Sequence, residues 1–118
     1  MTRREFEKVV EEAVASLPEM FRRKIENVEF RVAESPNRRQ AREYPGGLYG
    51  LYEGIPYGER GTNYQLALPD RITLFKRAIE RDCRTREEMI RCIQETVLHE
   101  IGHYFGMDDE QLDAHGIG

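Results

Sequence analysis

The sequence is poor in the features that mark membrane proteins and secreted proteins. No run of apolar residues approaches the roughly 20 that a membrane-spanning helix needs. The N-terminal stretch MTRREFEKVVEEA is charged throughout and has no apolar segment of the kind that a signal peptide requires. We therefore predict a cytoplasmic protein that does not enter a membrane.

Cysteine is also scarce, since the chain contains only Cys83 and Cys92. Two cysteines are too few for a disulfide framework, and their spacing matches no zinc-ribbon pattern. In a reducing compartment we expect both thiols to be free and to serve as packing residues.

The charge distribution does not point to a nucleic acid partner. The 18 lysines and arginines stand against 22 aspartates and glutamates, which gives a net charge of −4 over 118 residues. Short basic runs occur at 22–24 and 38–39, but no basic stripe interleaved with aromatic residues develops. The length predicts a single domain that spans residues 1–118.

Hydrophobic periodicity and capping signals predict helices around a small sheet. Thr2 and Glu5 form a capping-box pattern before an amphipathic helix, and Pro18 suits the first turn of a short second helix over 19–25. A second capping-box pattern at Thr85 and Glu88 opens the last long helix, which Gly106 is placed to end. The apolar stripe of this helix is predicted to consist of Met89 or Ile90, Ile93, Val97, Ile101 and Tyr104 or Phe105. Strands are predicted at 28–32, 48–53 and 71–75, with a loop that has room for one helical turn at 34–47.

The stretch HEIGHYFGMDD, residues 99–109, holds two of the three histidines of the chain. At 100° per residue, His103 lies about 40° around the helix from His99, and Glu100 lies about 60° beyond His103. Two imidazoles one turn apart can bind one Zn²⁺ at about 2.0–2.1 Å. The offset carboxylate of Glu100 is placed to take a proton from water that the metal makes acidic near neutral pH. This spacing predicts a metal site with Glu100 as the catalytic general base.

A catalytic zinc site needs a third protein ligand and one open position. Gly106 allows a sharp turn, and Asp109, three residues later, can swing back to the metal. Asp108 is the neighbouring candidate, although it also suits the cap of a short last helix over 110–114. His115 is a further candidate, although it also reads as an exposed histidine of the tail. The prediction is one Zn²⁺ held by His99, His103 and Asp109.

These residues carry a resemblance to a known family. The motif resembles the HExxHxxGxxD variant of the zincin signature, a relative of the metzincin motif with aspartate as the third ligand. The rest of the chain resembles the small bacterial minimal zincin family of zinc metallopeptidase-like proteins, which have a minimal metalloprotease-like domain. The stretches that carry this wider resemblance are Leu17-Pro18, LYGLYEGIPYGERG at 48–61, LPDRITLFKRAIE at 68–80 and DDEQLDAHG at 108–116.

The resemblance implies a fold as well as roles for individual residues. It implies an α+β fold in which a small, mostly antiparallel sheet packs on an N-terminal helix and a C-terminal active-site helix. It implies zinc ligands at His99, His103 and Asp109, with Glu100 as general base and acid. Because peptides in zincins lie against an edge strand above the metal, the strand that begins at Leu48 or the one that begins at Arg71 is expected to supply that edge.

The sequence also departs from larger zincins. Metzincins have a methionine turn after the motif, whereas no methionine follows Met107 here. We expect the lower lip of the cleft, and the downstream tyrosine or histidine that stabilises the oxyanion, to be missing; losing one such donor costs about 10²–10³ in rate. Tyr57, Arg60 and Tyr64 are the candidates to replace that donor, although each also suits a packing or surface role.

Two functions remain open at this point. The first is a zinc-dependent metallopeptidase that hydrolyses peptide bonds by a zinc-activated water, with a peptide or protein as substrate. The alternative is a non-catalytic, metal-stabilised protein-binding module that lacks the lower half of a zincin cleft. Glu100 favours the hydrolase, because a structural zinc site gains nothing from that carboxylate and closes with four protein ligands. A metal-dependent RNA nuclease is a third class, but it would need a histidine in place of Asp109 and a basic face.

Overall fold

Five helices and three strands make up the described part of the chain. The computed structural model describes residues 1–54, 69–107 and 110. In chain order the elements are α1 (Arg3–Ala15), α2 (Glu19–Arg22), β1 (Val28–Ala33), α3 (Arg38–Glu43), β2 (Gly50–Glu53), β3 (Asp70–Phe75), α4 (Lys76–Asp82) and α5 (Arg86–Tyr104).

Helix α1 begins at the capping box that the sequence predicts. The amide of Glu5 donates to the hydroxyl of Thr2 at 3.1 Å, and the amide of Thr2 donates to the carboxylate of Glu5 at 3.2 Å. The reciprocal bonds satisfy two amides that the helix leaves without partners. The second helix, α2, is shorter than the predicted span 19–25, and Pro18 stands at its N-cap.

Two short helices lie where the sequence predicts at most one helical turn. Helix α3 occupies part of the predicted loop and opens on a second reciprocal box, in which Asn37 and Gln40 exchange bonds of 2.8 and 2.9 Å. Helix α4 follows β3 directly and has no side-chain cap. Ile79, which is fully buried, anchors it in the core.

The described strands form a mixed sheet in the order β1-β3-β2. β1 pairs with β3 in parallel, and β2 pairs with β3 in antiparallel register. The α+β class is confirmed, while one of the two strand pairings among the described strands is parallel, where the family resemblance implies a mostly antiparallel sheet. The reason is topological: the chain leaves β1, passes through α3 and β2, and returns to place β3 between the other two strands.

The core lies between one face of the sheet and the helices α1 and α5. Helix α5 contributes its predicted apolar stripe, and the side chains of this helix that are fully buried are Ile93, Val97, Ile101 and Tyr104. Thr85 caps the start of α5 by accepting a bond from the Glu88 amide at 3.1 Å. The Glu88 carboxylate accepts from the Arg84 amide at 2.8 Å instead of completing the box. Among the described helices, none has both the length and the apolar composition that a membrane crossing requires.

Candidate metal centre

Three side chains of the predicted motif lie together on the last turns of α5. One ligand atom from each of His99, Glu100 and His103 can be chosen so that all lie within 4.8 Å of one another. Glu100 is buried, with 7% of its surface exposed, whereas the two histidines are half-buried. The helix therefore brings the two imidazoles and the carboxylate to one surface, as its 3.6-residue period predicts.

The two imidazoles converge through their Nε2 atoms. These atoms are 3.1 Å apart, and the ring planes make an angle of 77°. Two nitrogen ligands at about 2.0–2.1 Å from a tetrahedral ion lie roughly 3.3–3.4 Å apart. The observed separation is close to that edge length, so the two rings fit a shared metal ion with little movement.

The tautomer of His103 is set by its second ring nitrogen. Nδ1 lies 2.9 Å from the carbonyl oxygen of Met107. A carbonyl can only accept, so Nδ1 carries the hydrogen and Nε2 of the neutral ring presents its lone pair towards His99. A bond of this kind orients metal-ligating histidines in known sites and makes them more basic.

The turn that supplies the Met107 carbonyl is the predicted helix stop. Gly106 has φ +82°, the left-handed conformation that favours glycine. The Met107 amide donates to the Gly102 carbonyl at 3.0 Å, and the Gly106 amide donates to the His103 carbonyl at 2.9 Å. This pair of bonds is a Schellman motif, which satisfies carbonyls that the helix end would otherwise leave unpaired. Helix termination and the orientation of the His103 ring therefore depend on the same five residues, 102–106, and on the carbonyl that follows them.

The carboxylate of Glu100 is held by the neighbouring strand. The backbone amide of Tyr52 in β2 donates to Oε1 of Glu100 at 2.9 Å. The amide is available because alternate residues of an antiparallel strand turn their backbone groups to the partner strand. The backbone amide of Phe75 in β3 donates to the Tyr49 carbonyl at 2.8 Å, so the backbone groups of Tyr49 face β3. Because the direction alternates along the strand, the backbone groups of Gly50 and Tyr52 point away from β3.

β2, which begins two residues after Leu48, is an edge strand of the described sheet, whereas β3, which holds Arg71, is central. Of the two strands that were candidates for the edge, the one near Leu48 lies at an edge of the described sheet and the one with Arg71 does not. β2 lies very close to α5: a Cβ atom placed on Gly50 would come 2.6 Å from Cγ2 of Thr96 and 3.3 Å from Cγ of Glu100. Only glycine permits this approach without a shift of the strand or the helix.

A groove of about 390 Å³ runs between the start of β2 and α5 and reaches His99 and Glu100. Its lining residues are Gly47, Leu48, Tyr49, Gly50, Cys92, Glu95, Thr96, His99 and Glu100. Burial, followed by the neighbouring Cys83, raises the pKa of Cys92 to about 11, so this thiol stays protonated near neutral pH. Both cysteines are free, as predicted, and Cys92 offers the groove no thiolate.

The rest of the predicted site lies outside the described residues. This applies to the predicted third ligand Asp109 and to its alternatives Asp108 and His115. It applies equally to the oxyanion candidates Tyr57, Arg60 and Tyr64. The roles of these residues stay predictions from the sequence, as do the ligand and base roles of His99, His103 and Glu100.

Sequence reasoning missed two backbone groups of the site. The Tyr52 amide binds the carboxylate from 48 residues away, and the Met107 carbonyl binds His103 across the helix end. Backbone groups carry no residue signature, so only the strand alternation around Tyr52 and the glycine at 106 hinted at them.

Comparison with known proteins agrees with this geometry. A fold of helices around a small sheet, with HExxH side chains on a helix beneath an edge strand, is the arrangement expected of a zincin. The sequence profile of the family described as "Zincin-like metallopeptidase" matches residues 25–118. The chain belongs to this family, which implies a zinc cofactor. No curated protein matches the chain.

Proposed function

We propose that this protein is a zinc-dependent peptidase that hydrolyses peptide bonds, with Glu100 as general base. The observation that carries the proposal is the buried Glu100 carboxylate beside two converging imidazoles, held there by the Tyr52 amide. A metal site that only stabilised the fold would close with four protein ligands and would need no proton acceptor beside the ion. His99, His103 and, from the sequence, Asp109 are the residues that would hold one ion.

The chemistry divides between the ion and the protein. A bound Zn²⁺ supplies a Lewis acid and lowers the pKa of water towards neutrality. The Glu100 carboxylate takes the proton of the attacking water and later returns it to the leaving amine. The Tyr52 amide holds that carboxylate beside the groove, so the proton acceptor is already in position before the reaction.

The edge of β2 is the proposed docking position for the substrate. The backbone groups of Gly50 point away from β3, which is how an edge strand pairs with an added extended peptide. The groove between residues 47–50 and α5 leads from this edge to His99 and Glu100. A peptide or flexible protein segment is therefore the substrate class that we propose, with no nucleic acid or membrane partner.

A Glu100→Gln variant tests the proposal. Glutamine keeps the size and one acceptor oxygen but cannot take a proton, so we expect hydrolysis of a broad peptide library to fall below detection while zinc content and melting temperature stay near those of the wild type. Cleavage is read by mass spectrometry, and zinc by elemental analysis. A wild type that binds zinc but is as inert as the variant would contradict the peptidase and favour the metal-stabilised binding module.

A further inference from the structure

Tyr52 is bonded at both ends, and each end meets a buried carboxylate. Its backbone amide donates to Glu100 at 2.9 Å, and its hydroxyl donates to Oδ2 of Asp70 at 2.8 Å. Asp70 is 3% exposed and Glu100 is 7% exposed. One tyrosine thus links the carboxylate proposed to act in catalysis with a second carboxylate that the proposed chemistry does not use.

The register of the sheet explains how the phenol reaches Asp70. Tyr52 stands opposite Ile72, and Asp70 lies two residues before Ile72 on the same face of the sheet. Diagonal neighbours of this kind have Cα atoms about 7–8 Å apart, which is within reach of an aromatic side chain. The strand pairing and the phenol bond therefore fix Tyr52 jointly.

Asp70 itself is firmly placed. Its amide donates to the Asn27 carbonyl at 3.0 Å, and Gly54 packs so closely that a Cβ atom there would overlap the Asp70 carboxylate. A buried carboxylate is stable only when it is hydrogen-bonded, so the bond from the Tyr52 phenol is costly to break.

We propose that Asp70 is a positioning residue for Glu100 and that it acts through Tyr52. The inference rests on the proposed function for its catalytic consequence. By accepting the hydrogen bond of the phenol, Asp70 fixes the position of Tyr52 in β2. The Tyr52 amide then fixes the position of the Glu100 carboxylate. This assigns a task to the stretches LYGLYE and LPDRITLF, which supply Tyr52 and Asp70.

The first test measures the contact itself in the metal-free full-length chain. Amide hydrogen exchange at residue 52 is followed by NMR in the wild type, Tyr52→Phe, Asp70→Asn and Glu100→Ala. We expect exchange to be about 10-fold faster in Tyr52→Phe, which loses the hydrogen bond to Asp70, and in Glu100→Ala, which loses the hydrogen bond from the Tyr52 amide. Asp70→Asn keeps an acceptor oxygen and is expected to lie between them and the wild type. Tyr44→Phe, which changes an exposed phenol, is the matched control and should exchange like the wild type.

The second test separates positioning from general destabilisation. In the zinc-loaded enzyme, Tyr52→Phe is expected to lower kcat by about 10- to 100-fold, while KM and zinc affinity stay within about twofold of the wild type. The reason is that a misplaced general base weakens the transition state but not the binding of substrate or zinc. A purely structural role would instead lower zinc affinity or raise KM together with the loss of kcat, and that pattern would overturn the proposal. So would an unchanged exchange rate at residue 52 in Tyr52→Phe.

The exchange test does not depend on the proposed function. If the wild type cleaves no peptide, the peptidase proposal fails, while the exchange rates still decide whether Asp70 holds Tyr52 against Glu100. If the wild type cleaves peptides and the exchange rates do not respond to Tyr52→Phe, the positioning role fails and the peptidase stands.

Discussion

His103 donates a hydrogen bond from Nδ1 to the carbonyl oxygen of Met107, 2.9 Å away. The bond joins a side chain of the HExxH motif to the backbone just beyond the helix that carries it. Because Gly106 forms the turn between them, the conformation of one glycine controls the direction in which the imidazole presents Nε2.

Gly106→Ala tests this connection. Alanine in the left-handed conformation costs about 1–2 kcal/mol, so we expect the free energy of unfolding of the metal-free protein to fall by about that amount. The Met107 carbonyl should also shift, and zinc affinity should fall by about 10-fold. Denaturant titration and competitive zinc titration measure the two effects.

Two controls accompany this variant. Gly106→Asn should lose less, because asparagine tolerates positive φ better than alanine does. Gly46→Ala, at a glycine with open space around its Cβ position, should change neither quantity. A stability loss in Gly106→Ala with unaltered zinc affinity would contradict the proposed link between the turn and the imidazole.

Gly50→Ala tests the close approach of β2 and α5. The new Cβ atom would lie 2.6 Å from Cγ2 of Thr96, so strand and helix must separate. Overpacking of this kind costs about 1–3 kcal/mol of unfolding free energy, and we expect peptide cleavage to fall by at least about 10-fold as β2 moves away from Glu100.

A second substitution makes the Gly50 test specific. Thr96→Ser removes the methyl group that the new Cβ meets, so the Gly50→Ala/Thr96→Ser double variant should recover part of the stability and of the activity. Gly46→Ala is again the neutral glycine control. If the double variant is no better than Gly50→Ala, the contact with Thr96 is not what excludes a side chain at position 50.

Asp109→Ala tests the third ligand that the sequence predicts. Removal of a first-sphere ligand should weaken zinc binding by more than the roughly 10- to 100-fold that outer-sphere partners cost. Asp108→Ala, one position away, is the matched comparison and should bind zinc nearly as the wild type does. Competitive titration with a chromophoric chelator gives both affinities, and the reverse order of the two variants would exchange their roles.

Asp82 gives a prediction about pH. Bonds from Arg81 and then from the Tyr49 hydroxyl, at 2.9 and 2.5 Å, lower the pKa of Asp82 to about 2. A lowered carboxyl pKa contributes stability above the unfolded-state value near 4, and that contribution is lost as the pH falls towards 2. Unfolding free energies of the metal-free protein should therefore drop less between pH 4 and pH 2 in Asp82→Asn than in the wild type. Tyr49→Phe should lie between them, and equal slopes in all three proteins would count against the interaction.

Features set by neighbouring residues in the chain were predictable from the sequence. The caps at Thr2 and Thr85, the apolar stripe of α5 and the stop at Gly106 all depend on contacts within about one helical turn. The shared surface of His99, Glu100 and His103 follows from helix geometry alone.

Features that depend on distant contacts were not predictable. Nothing local distinguishes β2 from β3 as the edge strand, because both are short and mix apolar with charged residues, and their order is decided by the path of the chain. Helix α4 lacks a side-chain cap and is held by the burial of Ile79, so no start signal marks it. The bond from Tyr52 to Glu100 spans 48 positions and uses a backbone group, which residue identity does not reveal.

Helix α5 contributes to the core and to the candidate metal centre with the same two final turns. Val97, Ile101 and Tyr104 are fully buried and alternate along the helix with His99 and His103. Local opening of such a segment would expose the core, so we expect these turns to open together with the core. Thermal inactivation and global unfolding should consequently follow one curve.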